Sequence, residues 1–345
     1  MPNAFLSPYF ALPAIKHLVS FDNVFGVFVE RETAGIPSLV GVALFQAMKP
    51  TRSFPLPHLM AFESIHSYLS GFLLDRECVS DARRMIYRSL AHKKHQWHGL
   101  YVNNYPTEDL FTEEARQIAS EFGMKWTTYS NWQRATLYLK NIDAQAVSPL
   151  SKHALKDYQR HIRHLQAAGH FEWTLLRGTE PLDKSIDEFI RLENMGWKGE
   201  KGTSLYSNPN HLRFFKEMAK GFNQAGRIFF TESHLDDVCI SSTTNLISGR
   251  AGFGFKMGWD TQYAKYSPGI VNVTQIMEHG KEFLGDLEYI ESSTTPEPYV
   301  SKIWPERRKL VEGMYTLSML GQAVLAGVDT AKKLKTTFIA RATTQ

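Results

Sequence analysis

The chain has 345 residues, 43% hydrophobic and 12% aromatic, which is the make-up of a folded protein long enough for two domains of ordinary size. Its 39 Lys and Arg against 35 Asp and Glu leave a formal charge of only +4, so bulk charge gives no case for nucleic acid or anionic lipid, and basic patches must be judged one at a time. Cys78 and Cys239 lie far apart and make no metal-ligand spacing, and no run reaches the roughly 18 uncharged apolar residues of a spanning helix; free thiols and no metal are expected. With prolines at Pro2, Pro8 and Pro13 the N-terminus lacks the pattern of a secretory signal, so the cytoplasm is the expected compartment.

In chain order, residues 21–29 and 38–46 read as a strand pair around an Ala34-Gly35 turn, followed by a proline-marked loop from Pro50 to Pro57. Ala82, Met85, Ile86 and Leu90 recur at helical spacing within 76–94, Leu100-Tyr101-Val102 is a short strand, and Thr112 opens a helix that Gly123 stops. His92, His95 and His98 are three residues apart but sit in a lysine-rich helix end without a neighbouring carboxylate, so they read as cations at a helix C-terminus and not as metal ligands. Arg134 to Leu139 is a strand, and 141–150, with Ser148-Pro149, has linker character.

A basic helix follows, with Lys152, Lys156, Arg160 and Arg163, ending at Gly169. It is either a groove wall that attracts an anion or an amphipathic helix with a solvated charged face. Thr179-Pro181 opens a helix that ends by Gly196, and Asn208-Pro209 caps and starts another that ends at Gly226. Three strands then run over 227–231, 238–243 and 250–259, and Ser267-Pro268-Gly269 starts a helix expected to end by Gly280 with Ser267 as its N-cap. Helix N-termini favour anions, so this strand-to-helix junction is where a phosphate or a developing oxyanion is expected. Near the end, the apolar run from Gly313 to Val328, followed by Lys332, Lys333 and Lys335, reads as a terminal helix that packs on the body, on a second copy in a homodimer, or on a membrane surface.

The stretches Asn194-Met195-Gly196-Trp197-Lys198-Gly199, Phe255-Lys256-Met257-Gly258-Trp259-Asp260 and Tyr263-Ala264-Lys265-Tyr266-Ser267-Pro268-Gly269 resemble the CelD-like, FemAB-related branch of the GNAT N-acyltransferases. The opening Asn3-Ala4-Phe5-Leu6-Ser7-Pro8 and the basic helix extend that resemblance over nearly the whole chain. It implies an α/β (α+β) fold of two tandem GNAT-like domains, each a central mixed, mostly antiparallel sheet flanked by helices, at 1–145 and 146–318, with a C-terminal helix and tail at 319–345. It also implies an N-acyltransferase that takes its acyl group from acyl-CoA, without metal, and delivers it to an amino group of a cell-envelope or exopolysaccharide precursor.

Within that frame Asp260 and Glu193 are alternative general bases, the structural alternative being loop closure for Asp260 and pairing with Arg191 or Lys198 for Glu193, and Tyr266 is a candidate acid. Lys256, Ser267 and Gly269 are expected to bind the donor, and Trp197, Lys198, Trp259 and Tyr263 the acceptor. The chain lacks the glycine-rich pyrophosphate loop usual before this helix. A Fem-like transferase using aminoacyl-tRNA, with the basic helix at its cleft, therefore stays open beside a non-catalytic scaffold.

Overall fold

The computed structural model describes residues 2–110, 112–142, 151–178, 182–294, 299–328 and 330. The first stretch of the chain forms α1 (Pro8–His17), β1 (Val24–Thr33), β2 (Ile36–Met48), β3 (His58–Ala61), β4 (Leu73–Leu74), α2 (Val79–His92), β5 (Gly99–Pro106), α3 (Thr107–Leu110), α4 (Glu113–Glu121) and β6 (Lys125–Tyr138). There follow α5 (Lys152–Ala168), β7 (Phe171–Arg177), α6 (Asp183–Glu193), α7 (Trp197–Glu200), α8 (Pro209–Gln224), β8 (Ile228–Leu235), β9 (Val238–Ser248), β10 (Ala251–Trp259), α9 (Pro268–Leu284), β11 (Tyr289–Glu291), β12 (Glu306–Thr316) and a helix over 319–328.

These elements form two compact units, one from residues 20–131 and 309–345, the other from 2–19 and 132–308. The first unit orders its strands β1-β2-β3-β5-β12, antiparallel except for β3 beside β5. Its β1–β2 turn is Ala34-Gly35, both at positive φ, the backbone that a two-residue hairpin needs to match strand twist. Phe45, Ile86, Tyr87, Leu100 and Tyr105 lie in its core.

The second unit orders its strands β7-β8-β9-β10-β11-β6, antiparallel except for β10 beside β11. Side chains alternate across a strand. Phe229 accordingly packs with Val273 and Ile276 of α9 on one face, while Phe230 meets Phe189 of α6 on the other. That second face is aromatic: Phe215 of α8 stacks on Phe255 of β10, and Phe10 of α1 meets Phe214 and Phe255 edge-on. In both units three antiparallel strands lead into a helix and then a strand parallel to the third, through α2 in one and α9 in the other. Each unit is therefore a mixed sheet flanked by helices, the fold class expected.

The division expected at 145/146 is not where the compact units part. The N-terminal segment joins the second unit because Asn3 donates its backbone N–H to Ser248 Oγ at 3.1 Å and α1 packs on α8 through pairs such as Tyr9 and Phe222. Sequence reading missed α1, whose internal Pro13 masks its helical period, and also β7 and β12. α9 continues past Gly280 to Leu284, because a helix-interior glycine costs only about 1 kcal/mol and neighbouring packing supplies more.

The run expected as a terminal helix is split, since Gly313 to Thr316 lie in β12 and only the residues from 319 onward are helical. Residues 143–150, Thr179, Pro181 and the terminal lysines Lys332, Lys333 and Lys335 lie outside the described residues. Among the described residues no helix is long and apolar enough to cross a membrane.

Candidate active site

The C-terminal end of α6 meets β10 at backbone range. A Cβ on Gly258 would stand 2.4 Å from the backbone N of Glu193 and 2.6 Å from the carbonyl carbon of Leu192, so only glycine admits this approach. Past α6 the chain turns through Gly196, at φ +67, into the single turn α7. There Gly199 lies so close to the Asn194 carbonyl that a Cβ would stand 2.1 Å from its oxygen. The glycines of this motif thus fold Lys198 back onto the helix it follows.

Glu193 is fully buried. Its Oε1 accepts from Lys198 Nζ at 3.2 Å and stands 4.0 Å from Lys256 Nζ, and its Oε2 accepts from the Leu205 backbone N–H at 2.8 Å. Lys198 also donates to the Met257 carbonyl at 3.1 Å. Burial pulls both ammonium groups below the ordinary lysine range. Glu193 opposes that shift at each, and at Lys198 the charge of Lys256 adds to it. His211 is likewise lowered, first by burial and then by Lys256. Two lysines thus share one carboxylate.

Glu193, Lys198, Glu200, Met257, Gly258, Trp259 and Thr261 line a cavity of about 240 Å³ beside this cluster. Among the described residues no strand pairs with the β11 side of β10 beyond Phe253. β10 pairs with β11 only from Ala251 to Phe253, its register against β9 shifts between Gly254 and Lys256, and it then runs on to Trp259 without β11.

The structure thus brings Glu193, Lys198, Lys256 and Trp259 together. Asp260 is turned elsewhere. Its Oδ1 caps the following 3-10 turn through the Gln262 backbone N–H at 2.9 Å, and its Oδ2 stands 3.8 Å from Arg191 Nη1. Tyr263 and Tyr266, with ring centroids 6.4 Å apart, pack toward Tyr158 and Leu165 of α5.

Ser267 does not cap α9 through its side chain. It adopts a left-handed backbone, φ 51 and ψ 52, and its hydroxyl makes no capping bond. Pro268 takes the first helical position as expected. Gly269 is buried, and a Cβ there would stand 2.6 Å from Met257 Sδ and 3.4 Å from Trp259 Cδ1. Trp197 begins α7, and its side chain lies outside the described residues.

The pairing of Glu193 with Lys198, one of the structural alternatives the sequence offered for it, is present. Sequence reasoning missed Thr261 and His211, which carry no motif signal, and gave no role to Met257. It also missed Asn272, a polar residue on the buried face of α9. Asn272 accepts from Thr231 Oγ1 at 2.6 Å and Trp173 Nε1 at 3.3 Å, and donates to the Thr231 carbonyl at 3.0 Å and Ser241 Oγ at 3.1 Å. This network fixes α9 against β8 and β9. At the base of β11, Glu291 is buried between Arg134 at 3.1 Å and Arg308 at 2.6 Å.

Residues 152–299 match the family described as an acetyltransferase (GNAT) domain. No curated protein matches the sequence. Among solved structures the chain is similar to FemX, with 10% identity, 88% of this chain and 90% of that one covered, and a TM-score of 0.58. It is also similar to a conserved protein of unknown function from Bacteroides thetaiotaomicron, 11% identical over 92% of each chain with a TM-score of 0.54. A third is the C-terminal domain of an Agrobacterium fabrum protein named for lysylphosphatidylglycerol synthetase, 11% identical over 88% of each chain with a TM-score of 0.53. At these identities the likeness is one of fold. Residues 152–299 thus match a GNAT acetyltransferase domain, in a chain whose fold is similar to that of FemX.

Proposed function

We propose that the chain is an N-acyltransferase whose donor, an acyl-CoA, enters where β10 parts from β11 and whose acceptor amine occupies the cavity beside Lys198. The observation that carries this reading is the side of β10 beyond Phe253, which no strand among the described residues pairs, next to a cavity lined by Lys198 with Lys256 behind it on the same carboxylate. Attack of an amine on a thioester builds a negative oxygen, and preorganised cations in a partly dry site stabilise it more than water does. Lys198, bound to Glu193 and facing the cavity, is the donor placed for that oxygen. Both oxygens of Glu193 are already engaged, so it serves as the anchor of the two lysines and not as the base. Asp260, committed to its turn and to Arg191, holds the junction in shape.

An envelope or exopolysaccharide precursor as acceptor, and action in the cytoplasm where acyl-CoA is available, follow from the family resemblance. The finer CelD-like assignment has the same source. The second reading, a Fem-like transfer from aminoacyl-tRNA, is favoured by α5, on which Lys152, Lys156, Arg160 and Arg163 are all exposed. Thiol release from acetyl-CoA and longer acyl-CoAs, measured with a panel of amino sugars, tests the first reading. Salt-dependent gel shifts with charged tRNA test the second, since phosphate contacts make binding fall steeply with salt. Thiol release that no amine stimulates, together with a salt-sensitive tRNA shift, would replace the first by the second.

A further inference from the structure

We propose that the end of the β8–β9 hairpin is a binding site for a transition-metal ion of the zinc and cobalt class, held by Glu232, His234 and Cys239. The ligand atoms of these three side chains all lie within 4.8 Å of one another. The arrangement follows from strand geometry. Glu232 and His234 are two residues apart and so share a face of β8, and His234 stands directly opposite Cys239 across the hairpin. A register shift between Ser233 and His234 sets the pair in place. Sequence spacing conceals this set, because the cysteine belongs to the other strand and the fold alone closes the distance.

Three features fit a metal better than they fit a packed core. Carboxylate, imidazole and thiol are the donor types of tetrahedral zinc sites, where bond lengths of about 2.0–2.3 Å separate neighbouring ligand atoms by roughly 3.3–3.7 Å. Glu232 Oε2 and His234 Nε2 are already 3.5 Å apart. Glu232, more than nine-tenths buried, shares a hydrogen bond with Ser185 but carries an Oε1 with no partner among the described residues, an arrangement that costs about 1–3 kcal/mol unless something binds there. The His234 side chain is 24% exposed, so a fourth position is open to water.

On binding, the Cys239 thiol gives up its proton to solvent. Carboxylate, thiolate and divalent ion then sum to zero charge beside neutral imidazole. From α6, Glu188 lies near this set while engaged with Arg191, which also donates to the Cys239 carbonyl at 2.9 Å. The ion would clip the hairpin end beneath α6, the helix that carries Glu193, and this holds whatever the donor or acceptor of the transfer reaction.

The test uses the full chain, stripped with a chelator and then titrated with Co²⁺ and Zn²⁺. The expected result is one ion per chain, a thiolate-to-cobalt charge-transfer band, and a rise in melting temperature on Zn²⁺ addition. Cys239→Ser should abolish the band, and His234→Gln, at a partly exposed position and checked for a cooperative melt, should abolish one-per-chain binding. Cys78→Ser and His92→Gln should change neither. Sub-stoichiometric binding, a band that survives Cys239→Ser, or stoichiometry lost only in His92→Gln would each overturn the proposal.

Discussion

At the scale of single residues, the account rests on two lysines that share one carboxylate. Each is held below its ordinary pKa of 10.5 by burial, so the unfolded chain binds protons more readily than the folded one between the lowered value and 10.5. Stability contributed by these side chains therefore rises as pH climbs through that window. In Lys256→Met one of the two is gone. Urea denaturation at neutral pH and near pH 10 should show wild type gaining on the variant as pH rises; a constant difference would contradict the burial argument.

Removing the shared anion is harsher. Glu193→Gln leaves two ammonium groups in a buried corner without their counter-charge, and a loss of about 3 kcal/mol is expected in the same assay. Ser267 makes the opposite case: its left-handed backbone costs a side chain roughly 1 kcal/mol and its hydroxyl makes no capping bond, so Ser267→Gly should leave stability unchanged or raise it by up to about that amount. A fall of the same size would show that the hydroxyl matters. At this scale the sequence offered the structural alternatives found for two carboxylates, pairing with Lys198 for Glu193 and loop closure for Asp260. The remaining partner of Glu193, the Leu205 N–H, was not legible, because it comes from a loop that no periodicity locates.

At the scale of elements, the site depends on how closely α6 approaches β10 and how firmly α9 is held. Gly258→Ala would drive a Cβ into the backbone at Glu193, which cannot yield as a flexible side chain would. A destabilisation of about 2–3 kcal/mol, with loss of donor binding, is expected by thermal melting and titration; tolerance of the alanine would mean that α6 can move away. Asn272→Ala strips four hydrogen bonds from the floor between α9 and the sheet, and the unpaired Thr231 and Ser241 groups should cost about 1–3 kcal/mol.

Helices with a cap and a stop were the most legible elements. α4 with Thr112, α5 with its stop at Gly169, and α8 with Asn208-Pro209 follow directly from capping chemistry. α1 escaped because of Pro13, and β7 because its residues are half-exposed throughout and lack a clean alternation.

At the scale of the whole molecule, the α/β class could be read from the alternation of helical and strand periods. The parting of the units could not, because it depends on which distant segments share a sheet. Residues 2–19 join the second unit through Ser248 and α8, and β6 and β12 each contribute residues to both units. The repeated passage from three antiparallel strands through a helix to a parallel strand is likewise a matter of topology, carried by two sequences with no visible self-similarity.

What that topology is for is tested most directly by calorimetric titration of the full chain with acetyl-CoA and longer acyl-CoAs, beside Lys256→Ala. Micromolar binding that weakens about tenfold or more in the variant is the predicted result, the loss of one charge-assisted contact. No detectable heat with any acyl-CoA, from protein that melts cooperatively, would contradict the assignment of acyl-CoA as donor.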